Sequence, residues 1–350
     1  MNKVLFACLK YDYGRKERGV SIERKAMLPA FWENKCEVVE FWLEENGFPD
    51  NLDLLQTNLI KTAENSNPDL IFFVLMDYEI KLDTLDYLKK KYTVINWFCD
   101  DQWRFDTYSK FIAPHLTYSI TVDKYSLDKY RKINCNAILS QWAPIEIDST
   151  ISENEYKYNV SFIGSWNPTR EWIISSLKRN GIEVECFGAG WDNGRVSYNQ
   201  MREIFHTSKI NLNLSNSLPN DFAFRIFLIK SLFVSLFKGI TRLKVMLKCV
   251  RYLFATTKNV EQLKARIFEI PGYNGFLLSQ YTLSIEDFYC IGREIAVFTN
   301  IEELVKSIHY FLVHDVQRES IRKAGFYRTQ NYTYSNYIQS ILKQISCFFR

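Results

Sequence analysis

Short β-branched or aromatic runs alternate along this chain with longer stretches whose apolar residues recur at three and four positions. That rhythm restricts the possible folds more than any other feature. In the first half the runs are KVLFACL, CEVVEFWL, DLIFFVL, TVINWF, LTYSIT and NAILS, with helix candidates between them at 21–34, 51–67, 83–91 and 124–132. Strands separated by helices imply parallel pairing, because a parallel connection must cross over the sheet and so covers its faces. After residue 158 the rhythm restarts with YNVSFIG, TREWIISSLKRN, IEVECFG, a helix at about 197–207 and KINLNLS. The expected fold class is α/β, with two α/β units in succession and a ligand cleft between them, since such sheets bind ligands beyond the carboxyl ends of their strands.

Length agrees with two cores: 350 residues exceed what one ordinary domain of about 150 residues holds. The boundary is expected in SQWAPIEIDSTISENEYKYN, where an aromatic-Pro break leads into a polar stretch. This gives a first domain at 1–145, a linker at 146–157, a second domain at 158–330 and a C-terminal helix at 331–350. The 47% hydrophobic and 24% charged residues exclude a disordered or fibrous chain. Eight scattered cysteines without CxxC, and four histidines without ligand spacing, point to reduced thiols and to no bound metal. No GxSxG or Cys-His pattern declares a nucleophile. MNKVLFACLKYDYG reads as a first strand rather than a signal peptide, and no window reaches the roughly 18 apolar residues of a membrane span. The expectation is a cytoplasmic protein.

Several loops carry candidate chemistry. In KYDYGRKERGVSIERKAM, Gly14 and Gly19 frame a flexible basic loop and Ser21 can cap the next helix; a glycine loop entering a helix N-terminus suits a phosphate or a sugar, though a plain surface loop fits equally. TVINWFCDDQWRF places Asp100 and Asp101 just after a strand, where they can act as a base or bond a sugar hydroxyl, or simply cap a helix, and only one of the pair is expected to face the ligand. FIGSWNPTREWIISSL sets Gly164 in a turn and Arg170 in the first turn of a helix, beside free amides that suit a diphosphate. ECFGAGWDNGRVSYNQM is a glycine-rich loop with Gly188, and with Trp191 available to stack over a base. KINLNLSNS ends a further strand in small polar residues, Ser215 among them. KARIFEIPGYNGFLL leads Lys264, Arg266 and Glu269 into a turn at Pro271 and Gly272 before another strand, and the i,i+3 spacing also allows an Arg266–Glu269 structural pair.

Residues 221–258 carry eight Lys or Arg against Asp221 alone, a net of +7, whereas the whole chain is only +4. A helical projection of about 229–254 separates Leu232, Leu236, Leu243, Met246, Val250 and Leu253 from Lys230, Lys238, Arg242 and Lys248. Such a helix can lie on an anionic membrane surface, making the protein peripheral at the inner face, or it can pack on the protein itself. Two amphipathic helices follow residue 299, and then a third, with Thr299 or Asn300 and Thr333 as caps.

The run LKARIFEIPGYNGFLLSQY, with GREIAVFTNIEELVKSIHYFLVH and IRKAGFYRTQNYTYSNYIQSIL, resembles the C-terminal signature of the CgeB-like (spore-maturation-protein-like) glycosyltransferases, relatives of the group 1 nucleotide-sugar glycosyltransferases. The likeness extends through VSFIGSWNPTR, CFGAGWDNGRVSY and SKINLNLS, and more loosely into YDYGRKERGVSIE and NWFCDD. It implies the GT-B architecture, two Rossmann-like domains with parallel sheets facing an interdomain cleft, with the donor held mainly by the second domain and the acceptor by the first. It also implies that Glu269 is the second glutamate of the group 1 Glu-x7-Glu pattern, which contacts the ribose. Glu261 stands at the spacing of the first, which approaches the donor sugar, although EQLKARIFE lacks the Phe-Gly that usually follows it.

A departing nucleoside diphosphate develops negative charge, so cations and helix amides serve catalysis there more than a covalent nucleophile does. Lys264, Arg266 and Arg170 are the candidates. The resulting expectation is a metal-independent transfer from a UDP- or GDP-linked sugar, with no other cofactor, to a saccharide, lipid-linked or protein acceptor in cell-surface glycan synthesis, with no nucleic-acid partner. Two alternatives remain: a GT-B nucleotide-sugar epimerase, and a non-catalytic glycan- or membrane-binding protein.

Overall fold

The computed structural model describes residues 2–146, 155–214, 224–230, 247, 250 and 260–347. The chain divides into two compact units, Met1–Glu146 with Asn331–Arg350, and Ile147–Gln330.

The first unit is built on a six-stranded sheet of β1 (Lys3–Cys8), β2 (Glu37–Trp42), β3 (Leu70–Phe73), β4 (Thr93–Phe98), β5 (Tyr118–Thr121) and β6 (Ala137–Leu139), in the order β2-β1-β3-β4-β5-β6. Every pairing is parallel. All residues of β3 and β4 are buried, as strands covered on both faces must be, whereas β2 at the edge buries only Phe41 and Trp42. The crossover helices lie where the periodicity puts them: α1 (Leu28–Glu33), preceded by a π-helical turn at Glu23–Met27, then α2 (Leu52–Ser66) and α3 (Leu82–Lys89). Asn51 caps α2 by accepting from the Leu54 amide at 2.9 Å. A helical stretch absent from the sequence expectation follows β4: α4 (Asp101–Arg104), a π turn at Phe105–Ser109 and α5 (Lys110–Ile112). Its aromatic side chains Phe105 and Tyr108 enter the core. Helix α6 (Ser126–Lys132) completes this set.

The second unit carries the five-stranded parallel sheet β11-β10-β9-β7-β8, made of β7 (Tyr158–Ile163), β8 (Glu185–Phe187), β9 (Ser208–Asn213), β10 (Leu277–Gln280) and β11 (Ala296–Phe298). Its helices are α7 (Pro168–Arg179), α8 (Tyr198–His206), α9 (Arg266–Gly272), α10 (Ile301–Val313) and α11 (Asp315–Thr329). Strand β11 is three residues long and was not anticipated. Pro271 and Gly272 end α9, as expected, as part of its last turn, and Tyr273 caps it.

Helix α12 (Tyr334–Cys347) returns to the first unit. Tyr334, Ile338, Ile341 and Ile345, spaced at four, three and four, are each at most 4% exposed and join the core beneath α1. Each such burial contributes roughly 1.5–3 kcal/mol. Asn34, at the end of α1, donates to the Ser335 carbonyl at 2.9 Å.

Most of the basic segment 221–258 lies outside the described residues. At its start, Phe224 and Leu228 are buried in the second core, and the Phe224 ring meets Trp172 edge-on. Among the described residues no helix is long and apolar enough to cross a membrane.

Candidate functional site

In each sheet the chain winds one way and then the other. The reversal leaves a crevice at the carboxyl ends of β7 and β9 in the second unit and of β1 and β3 in the first, the positions where open α/β sheets take ligands.

In the second unit this edge is made of backbone. The Gly164 amide donates to the Phe187 carbonyl at 2.9 Å and the Trp166 amide to the Ala189 carbonyl at 2.8 Å, so the loops after β7 and β8 are tied together. Gly188 sits at φ +125°, and a Cβ there would lie 2.3 Å from the Gly164 oxygen; only glycine allows the approach. Trp191, expected to stack over a base, donates its indole N–H to that same Gly164 carbonyl at 2.8 Å and meets Phe162 edge-on. Its ring braces the loop.

Arg170 also differs from expectation. Asn167 caps α7 by accepting from the Arg170 amide at 3.0 Å, and the guanidinium donates to the Ser165 carbonyl at 2.7 Å and the Leu214 carbonyl at 3.0 Å. The side chain thus bridges the loop after β7 to the end of β9, across the crevice itself. These bonds commit donors that a diphosphate would otherwise use. Ser215, the next residue after Leu214, lies outside the described residues.

Arg266 and Glu269 form an ion pair one turn apart at the start of α9. The Arg266 Nε also donates to the Ile163 carbonyl at 3.4 Å, at the carboxyl end of β7, and the guanidinium lies over the Phe205 ring. Glu269 has a side chain only 3% exposed, against 30% for Arg266. The surface this pair offers is therefore mostly guanidinium, with the carboxylate holding it from behind. Lys264, half-buried, lies two residues before α9, and its carbonyl accepts from the Ile267 amide at 3.0 Å. Glu261 accepts from Gln280 Nε2 at 2.9 Å, at the carboxyl end of β10. Gly164, Gly188, Arg170, Trp191, Glu261, Arg266 and Glu269 therefore all belong to one sheet edge.

In the first unit the loop from Gly14 to Gly19 is closed at its base: Tyr11 and Val20 form an antiparallel bridge, and the Asp12 amide donates to the Gly19 carbonyl at 3.0 Å. Ser21 does cap the following turn, accepting from the Arg24 amide at 3.2 Å. Its hydroxyl donates to the Leu9 carbonyl at 2.8 Å and the residue is 2% exposed, so it serves the fold rather than a phosphate.

Asp101 must be corrected as a catalytic candidate. It is fully buried and accepts from the Tyr130 hydroxyl at 2.9 Å, and burial raises its carboxyl above the ordinary value. It anchors α4 to α6. Asp100, half-buried, lines a cavity of about 10 Å³ with Cys99, Arg104 and Tyr108. That space holds at most a water.

One carboxyl escaped the sequence reading. Glu23 is 5% exposed beside Ser21, and burial pushes it up to about 7, opposed by hydrogen bonds from its own amide and Ser21 and reinforced by Asp12 and Glu44. Nothing in its spacing signals that burial. Among the described residues no group of three His, Cys, Asp or Glu side chains is placed to hold a metal.

Comparison with known proteins follows this geometry. Residues 170–229 and 235–343 match the family described as glycosyl transferase-like. No curated protein matches the chain. Among solved structures, sucrose-phosphate synthase from Thermosynechococcus elongatus is 8% identical with a TM-score of 0.56, over 99% of this chain and 100% of that one. Anabaena HepE, solved with UDP-glucose, is 11% identical with a TM-score of 0.53, over 99% and 100%. A UDP-N-acetylglucosamine 2-epimerase structure from Listeria monocytogenes, so named provisionally, is 8% identical with a TM-score of 0.54, over 100% and 97%. These likenesses show the fold. With the family match over the crevice of the second unit, the chain is a glycosyltransferase of the GT-B fold.

Proposed function

We propose that this glycosyltransferase takes a nucleoside diphosphate sugar at the carboxyl edge of the second sheet and passes the sugar to a saccharide-containing acceptor, without a bound metal. The observation that carries this reading is the Arg266–Glu269 pair set against the β7 terminus, within the family-matched region and beside two interlocked glycine loops. A guanidinium whose back is neutralised by a buried carboxylate is fixed in orientation, and its open side suits the oxygens of a diphosphate. As the glycosidic bond to the diphosphate breaks, charge grows on the leaving oxygens, and a fixed cation stabilises it without reorganising. Glu269 positions Arg266 from behind, in place of the ribose contact that the resemblance implies. Glu261 is the candidate for the donor sugar.

The resemblance of the C-terminal motifs supports a place beside the CgeB-like enzymes and the group 1 branch. The HepE structure was solved with UDP-glucose, which supports a UDP-sugar as the first donor class to test. A cytoplasmic location is part of the same reading, as is peripheral contact with anionic lipid through 221–258.

A panel of UDP- and GDP-sugars, scored for release of nucleoside diphosphate, tests the proposal. Release from one donor, abolished in Arg266→Ala, is the expected result. Conversion of the sugar to its epimer would favour an epimerase instead, and no turnover or binding of any donor would remove the proposal.

A further inference from the structure

The carboxyl edge of the first sheet carries three exposed tyrosines on three separate loops. Tyr13 follows β1 and is 64% exposed, Tyr78 follows β3 at 47%, and Tyr125 follows β5 at 51%. Strands β1 and β3 are neighbours and flank the reversal of winding, so Tyr13 and Tyr78 stand on the two sides of that unit's own ligand crevice. β5 lies two places beyond β3, so the three loops span three strand spacings, about 14 Å.

Large apolar side chains left in solvent on mobile loops would carry little meaning, but each of these loops is held by a carboxylate. Glu44 accepts from the Lys10 amide at 2.9 Å and the Tyr11 amide at 3.0 Å. Glu79, 4% exposed, accepts from the Met76 amide at 3.0 Å and the Asp77 amide at 2.8 Å. Asp123, 8% exposed, accepts from Ser126 Oγ at 2.6 Å and the Tyr125 amide at 3.3 Å. The rings are therefore presented by built supports. Tyr13 is also held at φ +53°, a left-handed conformation costly for a bulky residue and characteristic of functional positions.

The chemistry around the rings is mixed. The Arg18 guanidinium lies 5.0 Å from the Tyr13 ring centre, the Lys124 ammonium 5.5 Å from that of Tyr125, and Tyr78 leans edge-on against Tyr108. Exposed rings, two of them with a cation packed over a face and all with a hydroxyl at the margin, match a pyranose, whose C–H face is apolar and whose rim is hydroxyls. A wholly apolar partner would meet no such polar rim.

We infer that Tyr13, Tyr78 and Tyr125 form a stacking platform for the acceptor, and that the acceptor presents a short neutral oligosaccharide to it. This rests on the transferase reading for the word acceptor, but the platform itself is testable without turnover. The probes are an array of soluble di- to tetrasaccharides of neutral hexoses and N-acetylhexosamines, and the same glycans as glycolipids in phosphatidylcholine vesicles. Wild type should bind at least one soluble glycan, and Tyr78→Ala and Tyr125→Ala should each weaken it about tenfold, with Tyr78→Phe retaining it because the ring face is what is used. UDP and GDP binding should be unchanged in all three variants. Glycan binding without any nucleotide binding would keep the platform while removing the transferase reading. No glycan bound, binding indifferent to the tyrosines, binding only to the vesicle form, or nucleotide binding lost with the tyrosines would each overturn the inference.

Discussion

In the second unit the loops after β7 and β8 meet backbone to backbone, with Gly188 against the Gly164 carbonyl; in the first, the loops after β1, β3 and β5 are held by carboxylates and leave tyrosine rings in solvent. Backbone contact fixes amides and carbonyls in place and admits no side chain, which suits recognition of a group that never varies, such as a diphosphate. Loops held from behind keep their geometry while the outward side chain remains exchangeable, which suits a ligand that differs from enzyme to enzyme. On the proposed reading, rigidity of main chain serves the donor and choice of side chain the acceptor.

The largest expected effect strikes the backbone-built edge. Gly188→Ala should destabilise the protein by about 3 kcal/mol or more, because the new Cβ meets a carbonyl oxygen and the φ is unfavourable. Urea unfolding would show it, and a cost near zero would mean the two loops are free to separate. Gly19→Ala in the first unit has an equally unusual φ of +88° but nothing within 4 Å. It should cost only about 1–2 kcal/mol, and a larger loss would erase the contrast.

A pH series sharpens the first unit's side of the comparison. Glu23 is raised from an ordinary 4.5 to about 7. The folded state therefore keeps a proton that the unfolded state gives up between those values, and stability falls as pH rises through this window, by up to about 3 kcal/mol. Glu23→Gln should flatten the dependence; an unchanged slope would mean the carboxyl is not buried as described. Next in size, Glu269→Gln should weaken UDP or GDP binding about tenfold, roughly 1.4 kcal/mol, since Arg266 loses its charged support. The smallest effect is on stability in Tyr78→Ala, within about 0.5 kcal/mol, because the ring contributes little to the core.

Much of the architecture was legible because parallel strands are short, β-branched and separated by helices of clear period. Strand β11 escaped because AVF is too short to show a period, and the stretch after β4 escaped because π turns break the 3.6-residue repeat in WRFDTYSKFI. Helix α12 reads as amphipathic, but its partner α1 lies 301 positions from Ser335 at the Asn34 contact, which no local pattern encodes. At the site, the Arg266–Glu269 pair was readable from i,i+3 spacing. The burial of Asp101 beside the half-buried Asp100 was not, because strand exit direction decides which of two identical side chains turns inward. Trp191 and Arg170 looked ligand-facing because their partners are main-chain carbonyls, and carbonyls carry no sequence signature.

Donor binding, as proposed, turns on Arg266 facing a nucleoside diphosphate from the second sheet. Isothermal titration of UDP and GDP into wild type and Arg266→Ala tests it directly. Saturable binding of one nucleotide by wild type, weakened at least tenfold in the variant while its unfolding midpoint stays close to wild type, is the predicted result. Equal affinity in both proteins, or no binding of either nucleotide to wild type, would contradict it.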